Sequence, residues 1–277
     1  MPSTLGIIAG SGPLPAQVAR AAEAAGRRVF IIGLEGHAEP AVLAPFPHAF
    51  LRFGGAVRII SLLKEQGCED LVLVGPVRRP SFRDLRPDAE GLKLLARIGR
   101  AAFLGDDGLL RAVIRVLGEE GFRVIGAHEI LGGLVGRSGL LTKTAPDDQA
   151  KADIARGIAV CRALGMADVG QGCVVQSGIV LAVEAVEGTD AMLGRCGALA
   201  WPGPGGVLVK LVKPGQERRA DLPTIGEETV RGAISAGLRG IAFEGGGTLI
   251  ADRDRMVAAA DAAGFFVLGL GPEALKG

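Results

Sequence analysis

The chain has 277 residues, 31 Lys and Arg against 30 Asp and Glu, a formal charge of +1 and a mean hydropathy of +0.35. Apolar residues make up 48%, yet aromatics only 4%, with no tyrosine. These figures exclude a disordered chain, a basic nucleic-acid tail and a base-stacking surface, and leave a globular protein of about two domains with aliphatic cores.

In chain order, Leu5–Ala9 is a short apolar run that ends in glycines, and a helical pattern follows from Leu14 to Ala25. Arg28–Ile32 is a second β-branched run. Ala56, Ile59, Ile60 and Leu63 stand at helical spacing up to the stop at Gly67. Asp70–Gly75 reads as a buried strand closed by Gly-Pro, helices are expected at 88–101 and 107–119, and Phe122–Ile125 makes a further strand. Continuous apolar strands alternating with helices predict a Rossmann-like parallel sheet covered on both faces over residues 1–132. The pattern lapses over 133–146, which reads as a linker. Beyond it, residues 147–277 predict a second α/β domain. Its first helix starts at Asp147 or Asp148 and runs to about Leu164. Strands follow at 173–176, 179–183, 206–211, 240–243 and 265–269, with helices at 188–194, 227–237 and 253–263.

The hydropathy invites a membrane reading, which the glycines and prolines defeat. The longest stretch free of charge and histidine, Met1 to Ala19, holds three prolines and three glycines, and Val169–Val183 is broken by Gly170, Gly172 and Gly178. A spanning helix needs roughly 20 apolar residues. No basic residue precedes Arg20, so a secretory signal is not expected and the reading is cytoplasmic. Cys68, Cys161, Cys173 and Cys196 show no C-x-x-C spacing and read as buried free thiols. His37, His48 and His128 are too scattered for zinc, which leaves a hard ion held by oxygen.

Five stretches carry candidate chemistry. Gly10-Ser11-Gly12-Pro13-Leu14-Pro15 lies between a strand and a helix, where glycine amides and a helix dipole suit a phosphate or a plain turn. It departs from G-x-G-x-x-G at Pro15, although Glu35 stands where a ribose contact is expected. Gly75-Pro76-Val77-Arg78-Arg79-Pro80 ends another strand, and with Arg83 and Arg86 it is either a phosphate loop or a solvated basic loop. Asp106 and Asp107 stand at a helix start, as caps or as ligand contacts. Asp168-Val-Gly170-Gln171-Gly172 and Glu187-Gly188-Thr189-Asp190 bring carboxylates to another helix start, with the same two readings. The richest stretch runs from Lys210 to Gly226. Lys210, Lys213, Gln216, Arg218, Arg219 and Asp221 crowd together without helical period, either as a solvated charged face or as the cations and carboxylate that phosphoryl transfer with Mg²⁺ requires.

Six segments together resemble the LpxI family: Gly6–Pro15, Gly105–Arg111, Gly126–Glu129, Asp168–Gly172, Val183–Asp190 and Lys213–Gly226. The similarity runs in order from about residue 4 to residue 270. It implies hydrolysis of the pyrophosphate bond of UDP-2,3-diacylglucosamine to UMP and 2,3-diacylglucosamine 1-phosphate (lipid X), in lipid A biosynthesis. It also implies a need for Mg²⁺ or Mn²⁺. The family's essential aspartate falls on Asp221, expected to hold the metal, and Lys210 and Lys213 are the expected catalytic cations. Gly10, Ser11, Gly12, Gly75, Arg79, Gln171, Thr189, Asp190 and Gln216 are the expected substrate contacts. The implied partner is a lipid-linked UDP-sugar and no nucleic acid. Transient contact with the inner membrane and a homodimer are compatible with this reading. The rival readings are an NAD(P)-dependent oxidoreductase, disfavoured by the absent third glycine and absent tyrosine, and a non-catalytic nucleotide-lipid binding protein.

Overall fold

The computed structural model of the chain describes residues 3–77 and 106–276. The chain forms two compact units. One is Met1–Gly132 with the short segment Glu217–Asp221, and the other is Gly133–Gln216 with Leu222–Gly277.

The first unit is built on five parallel strands: β1 (Thr4–Ala9), β2 (Val29–Leu34), β3 (His48–Leu51), β4 (Cys68–Val74) and β5 (Arg123–Val124). Their order is β3-β2-β1-β4-β5, as a Rossmann-like sheet requires. Strand alternation sorts the side chains into two layers. Leu5, Ile7, Ala9, Val29 and Ile31 pack on α1 (Leu14–Ala24), against Ala16, Val18, Ala19 and Ala22. Phe30, Ile32 and Leu34 face the other side, against α3 (Ala56–Glu65) and α4 (Asp106–Glu119), through Ile59, Leu63, Ile114 and Leu117. Two short helices, α2 (Pro40–Leu43) and α5 (Ala127–Ile130), complete the described portion of the unit. Prolines open α1, where helical amides need no partner, and Gly26 at φ 77° follows its end. The helix expected at 88–101 lies outside the described residues.

The second unit holds a six-stranded mixed sheet in the order β6-β13-β11-β9-β7-β8. At its centre, β9 (Val207–Lys210), β11 (Gly240–Glu244) and β13 (Phe266–Leu270) run parallel. The antiparallel hairpin of β7 (Gly172–Gln176) and β8 (Ile179–Val183) flanks them on one side. One face is covered by α6 (Asp148–Met166), whose Ile154, Ile158 and Cys161 meet Val175, Val207 and Val209. The other is covered by α7 (Gly188–Cys196), α8 (Glu227–Ser235) and α9 (Arg253–Ala262) against Val174, Leu208, Ile241 and Val267. Asp147 caps α6, accepting from the Ala150 amide at 2.8 Å. A second, two-stranded parallel sheet pairs β10 (Thr224–Gly226) with β12 (Leu249–Ala251).

The segment 133–146, read as a linker, is built into this unit. It contributes β6 (Gly139–Leu140), antiparallel to β13, and hydrogen bonds from Gly136 N to Thr248 O (2.8 Å) and from Ile250 N to Leu134 O (2.7 Å). Its glycines serve different ends: a Cβ at Gly136 would strike the Phe243 ring, Gly139 stands at φ 112°, and Gly133 faces open space. Among the described residues, no helix is long and apolar enough to cross a membrane. All four cysteines are free and buried, as expected.

Candidate functional site

In the second unit the predicted residues gather at the carboxyl end of β9. Alternation turns Val207 and Val209 toward α6 and Lys210 toward α7. Lys210 is 5% exposed, deep for an ammonium. Its Nζ donates to Thr189 Oγ1 at 2.6 Å and to the Thr224 carbonyl at 3.4 Å. The Thr189 hydroxyl in turn donates to Glu184 Oε1 at 2.8 Å. Lys213, three residues on, pairs its Nζ with Asp168 Oδ1 at 2.6 Å, and its amide donates to Gln216 Oε1 at 2.8 Å. The buried Gln216 reaches Gln171 Oε1 at 3.1 Å, and the Gln171 carbonyl accepts from Leu211 N at 2.9 Å. These bonds form two networks on either side of Leu211, Lys210–Thr189–Glu184 and Lys213–Gln216–Gln171 with Asp168.

The glycines of Asp168–Gly172 have a role here that needs no phosphate. A Cβ at Gly170 would strike the Glu184 carbonyl oxygen, and one at Gly172 would crowd the Glu184 carboxylate. Asp168 sits at φ 52°, a conformation aspartate tolerates, and this aims its carboxylate at Lys213. The other expected carboxylates do less. Glu187 forms an ion pair with Arg195 at 2.7 Å, which holds its carboxyl below the usual range, and it makes no side-chain cap. Asp190 stands exposed in the first turn of α7.

In the first unit, the loops after β1 and β4 lock together. Gly10 N donates to Val74 O at 2.9 Å, and Ser11 N and Oγ both reach Pro76 O, at 3.0 and 3.1 Å. A Cβ at Gly10 would strike the Gly75 and Pro76 carbonyls, and Gly75 itself stands at φ 92°. Gly12 N, at 3.3 Å, meets the Glu39 carboxylate. All three amides expected to hold phosphate therefore have protein acceptors. Glu35 is exposed, its amide bonded to Leu51 O. Arg78, Arg79, Arg83 and Arg86 lie outside the described residues, as do the side chains of Asp106 and Asp107.

Asp221 belongs to this first unit. The turn Glu217–Asp221 is closed by bonds from Ala220 N and Asp221 N to Glu217 O, at 3.1 and 3.0 Å, and Ala220 packs on the cluster under α3 and α4. Arg219 grips Glu217 through Nε and Nη2, at 2.8 and 2.7 Å, and holds that carboxyl below its usual range, with Arg111 adding to the effect. Asp221 is half-buried. No group of three or more His, Cys, Asp or Glu able to hold a metal occurs among the described residues. The thiols offer no nucleophile. The Cys161 thiol, 3.5 Å from Cys173 Sγ, is pushed far above its ordinary value by that contact and by burial.

The profile of the LpxI N-terminal domain matches residues 4–134, and that of the LpxI C-terminal domain matches residues 137–268. The chain belongs to the LpxI family. A protein of Caulobacter vibrioides (strain ATCC 19089 / CIP 103742 / CB 15) named UDP-2,3-diacylglucosamine pyrophosphatase LpxI is 46% identical over 275 residues, covering 97% of this chain and 98% of its own length. Two solved structures resemble the chain remotely. A UDP-glucose-4-epimerase from Stenotrophomonas maltophila is 12% identical with a TM-score of 0.27, covering 53% of this chain and 40% of its own. A glycinamide-RNase-transformylase T from Mycobacterium tuberculosis is also 12% identical, with a TM-score of 0.25, covering 66% and 44%.

One residue of the site, Glu184, lies within the Val183–Asp190 segment but has no role assigned from sequence. Glu184, 6% exposed at the end of β8, shares its strand face with the buried Ala182. The available signal was an ionisable residue at an inward position of an apolar strand.

Proposed function

We propose that this enzyme hydrolyses the pyrophosphate bond of UDP-2,3-diacylglucosamine, releasing UMP and 2,3-diacylglucosamine 1-phosphate, a step of lipid A biosynthesis. The observation that carries this reading is the near full-length identity to the Caulobacter pyrophosphatase, joined to a buried cation cluster at a strand's carboxyl end. Water supplies the new oxygen on the sugar-side phosphorus, and UMP leaves with the bridging oxygen.

Charge builds on phosphoryl oxygens in such a step, and preorganised cations stabilise it best where water is scarce. Lys210 and Lys213 serve that purpose. Gln216, buried and held by Gln171 and the Lys213 amide, fixes the turn that carries Lys213 and belongs to the substrate-binding set through that turn. Thr189 and Asp190 belong to the binding shell. The uridine side is assigned to the carboxyl end of the first sheet, near Gly10, Ser11, Gly12, Gly75 and Arg79. There the occupied amides shape the loops, and the ligand meets the exposed surface of those loops instead.

A divalent ion fits this donor set as Mg²⁺ usually does, through one carboxylate and the phosphates of its substrate. Asp221 is that carboxylate, and Mn²⁺ can replace Mg²⁺. The ion would polarise the phosphoryl oxygens and neutralise charge on them. Two acyl chains keep the substrate in a bilayer, so the enzyme meets it at the inner face of the membrane.

UMP release from UDP-2,3-diacylglucosamine with Mg²⁺ tests the reading. Asp221→Ala is expected to lower turnover at least about 100-fold while the lipid still binds. Full activity in that variant would sink the assignment.

A further inference from the structure

Burying a carboxylate is costly unless its oxygens are satisfied. Glu184 is buried at the end of an otherwise apolar strand, and only half of it is satisfied. Oε1 accepts the Thr189 hydroxyl, while Oε2 is buried with no hydrogen-bond partner among the described residues. The backbones of Gly170 and Gly172 press against this residue, so its place is tightly set. An apolar side chain would fill the position at less cost. The charge therefore has a use beyond packing: its one side-chain hydrogen bond comes from Thr189, whose hydroxyl in turn accepts from Lys210.

An ammonium has three N–H donors. Two of Lys210's go to Thr189 Oγ1 and the Thr224 carbonyl, which leaves one for a substrate oxygen. A carboxylate in direct contact with a cation offsets more of its field than one held a hydroxyl further away. A hydroxyl placed between the two keeps the charges further apart. Lys210 then stays fixed in direction and still attracts an anion.

We propose that Glu184 is a positioning residue for the hydrolysis, acting through the Thr189 hydroxyl to hold the Lys210 ammonium aimed at the phosphoryl group. This inference rests on the role assigned to Lys210 above. Glu184 itself touches no substrate, so its loss should depress kcat and leave KM nearly unchanged.

The test is a double-mutant cycle on the full-length enzyme with Mg²⁺ and UDP-2,3-diacylglucosamine in detergent micelles. Glu184→Gln is expected to lower kcat about 10- to 100-fold with KM within about 3-fold of the parent. Thr189→Val should lower kcat to the same degree, with any accompanying rise in KM reporting the place of Thr189 in the binding shell, while Thr189→Ser, which restores the hydroxyl, should recover kcat to within about 3-fold. In a Lys210→Met background, Glu184→Gln should cost less than about 2-fold more, because the group it positions is gone. Wild-type kcat in Glu184→Gln overturns the proposal. So do losses that multiply independently of Lys210, which would mark a purely structural residue. If Glu184→Gln does not fold, the Thr189→Val and Thr189→Ser pair in both backgrounds decides the matter by the same criteria. Full activity in Lys210→Met would instead remove the role given to Lys210.

Discussion

At the scale of single residues, the glycines of one short motif serve different ends. Gly10 is required by contact, because any Cβ would enter the carbonyls of the β4 loop, while Gly12 is required by its backbone angle of 84° and faces open space. Gly10→Ala must therefore push the interlocked loops apart, at a cost of about 2 kcal/mol. That corresponds to a fall in melting temperature of roughly 4–8 °C. Gly12→Ala costs only the strain of a left-handed residue, about 1 kcal/mol. Thermal melts of the two variants check the ranking. Were Gly10 present only to admit a phosphate, Gly10→Ala would melt with the wild type and lose nucleotide binding alone.

At the scale of elements, the pairing of β5 with β4 depends on one carboxylate. Asp70, 3% exposed and in register with Arg123, accepts from Arg123 Nε at 2.6 Å and from Arg27 Nη2 at 2.8 Å. The Arg123 hydrogen bond, with Arg27 beside it, holds the Asp70 carboxyl below its ordinary 3.8 against the opposing effect of burial. A depressed carboxyl contributes stability above its unfolded value and loses it as pH falls through the folded one. Asp70→Asn should thus cost about 2 kcal/mol at pH 7. The gap between the variant and the parent should close as pH falls below about 4. Melts at both pH values check this, and a gap that persists in acid would show that the arginines are not its cause. The elements with strong period were legible in sequence: α1, α3, α6, strands β1, β2, β4 and β5 of the first sheet and the longer strands of the second unit stand within a few residues of their expected places, whereas β3 (His48–Leu51) was not anticipated. Strands β6, β10 and β12 were not, since two or three residues carry no period and pair only through distant partners. The cation cluster was legible as charge without helical period. Glu184 was not, because its meaning lies in Thr189 and Lys210, 5 and 26 positions away in the chain.

At the scale of the whole molecule, the aliphatic excess of the composition fills four core clusters, two in each unit. Neither unit shows a protein-built cage for a cation among its described residues. In the proposed reaction Asp221 and the ligand's own phosphates would hold the divalent ion together, so its binding should be linked to theirs. Mg²⁺ alone, at millimolar concentration, is expected to move the melting temperature by less than about 1 °C, since weak binding to the folded state adds little stability. UDP together with Mg²⁺ should raise it by several degrees, because a ligand at about 100 times its Kd adds about 2.7 kcal/mol. UDP with a chelator should raise it less. Differential scanning fluorimetry across these four conditions, including the bare protein, reads the linkage directly. A large shift from Mg²⁺ without nucleotide would reveal a protein site with its own affinity, and Asp221 would then need carboxylate partners of its own.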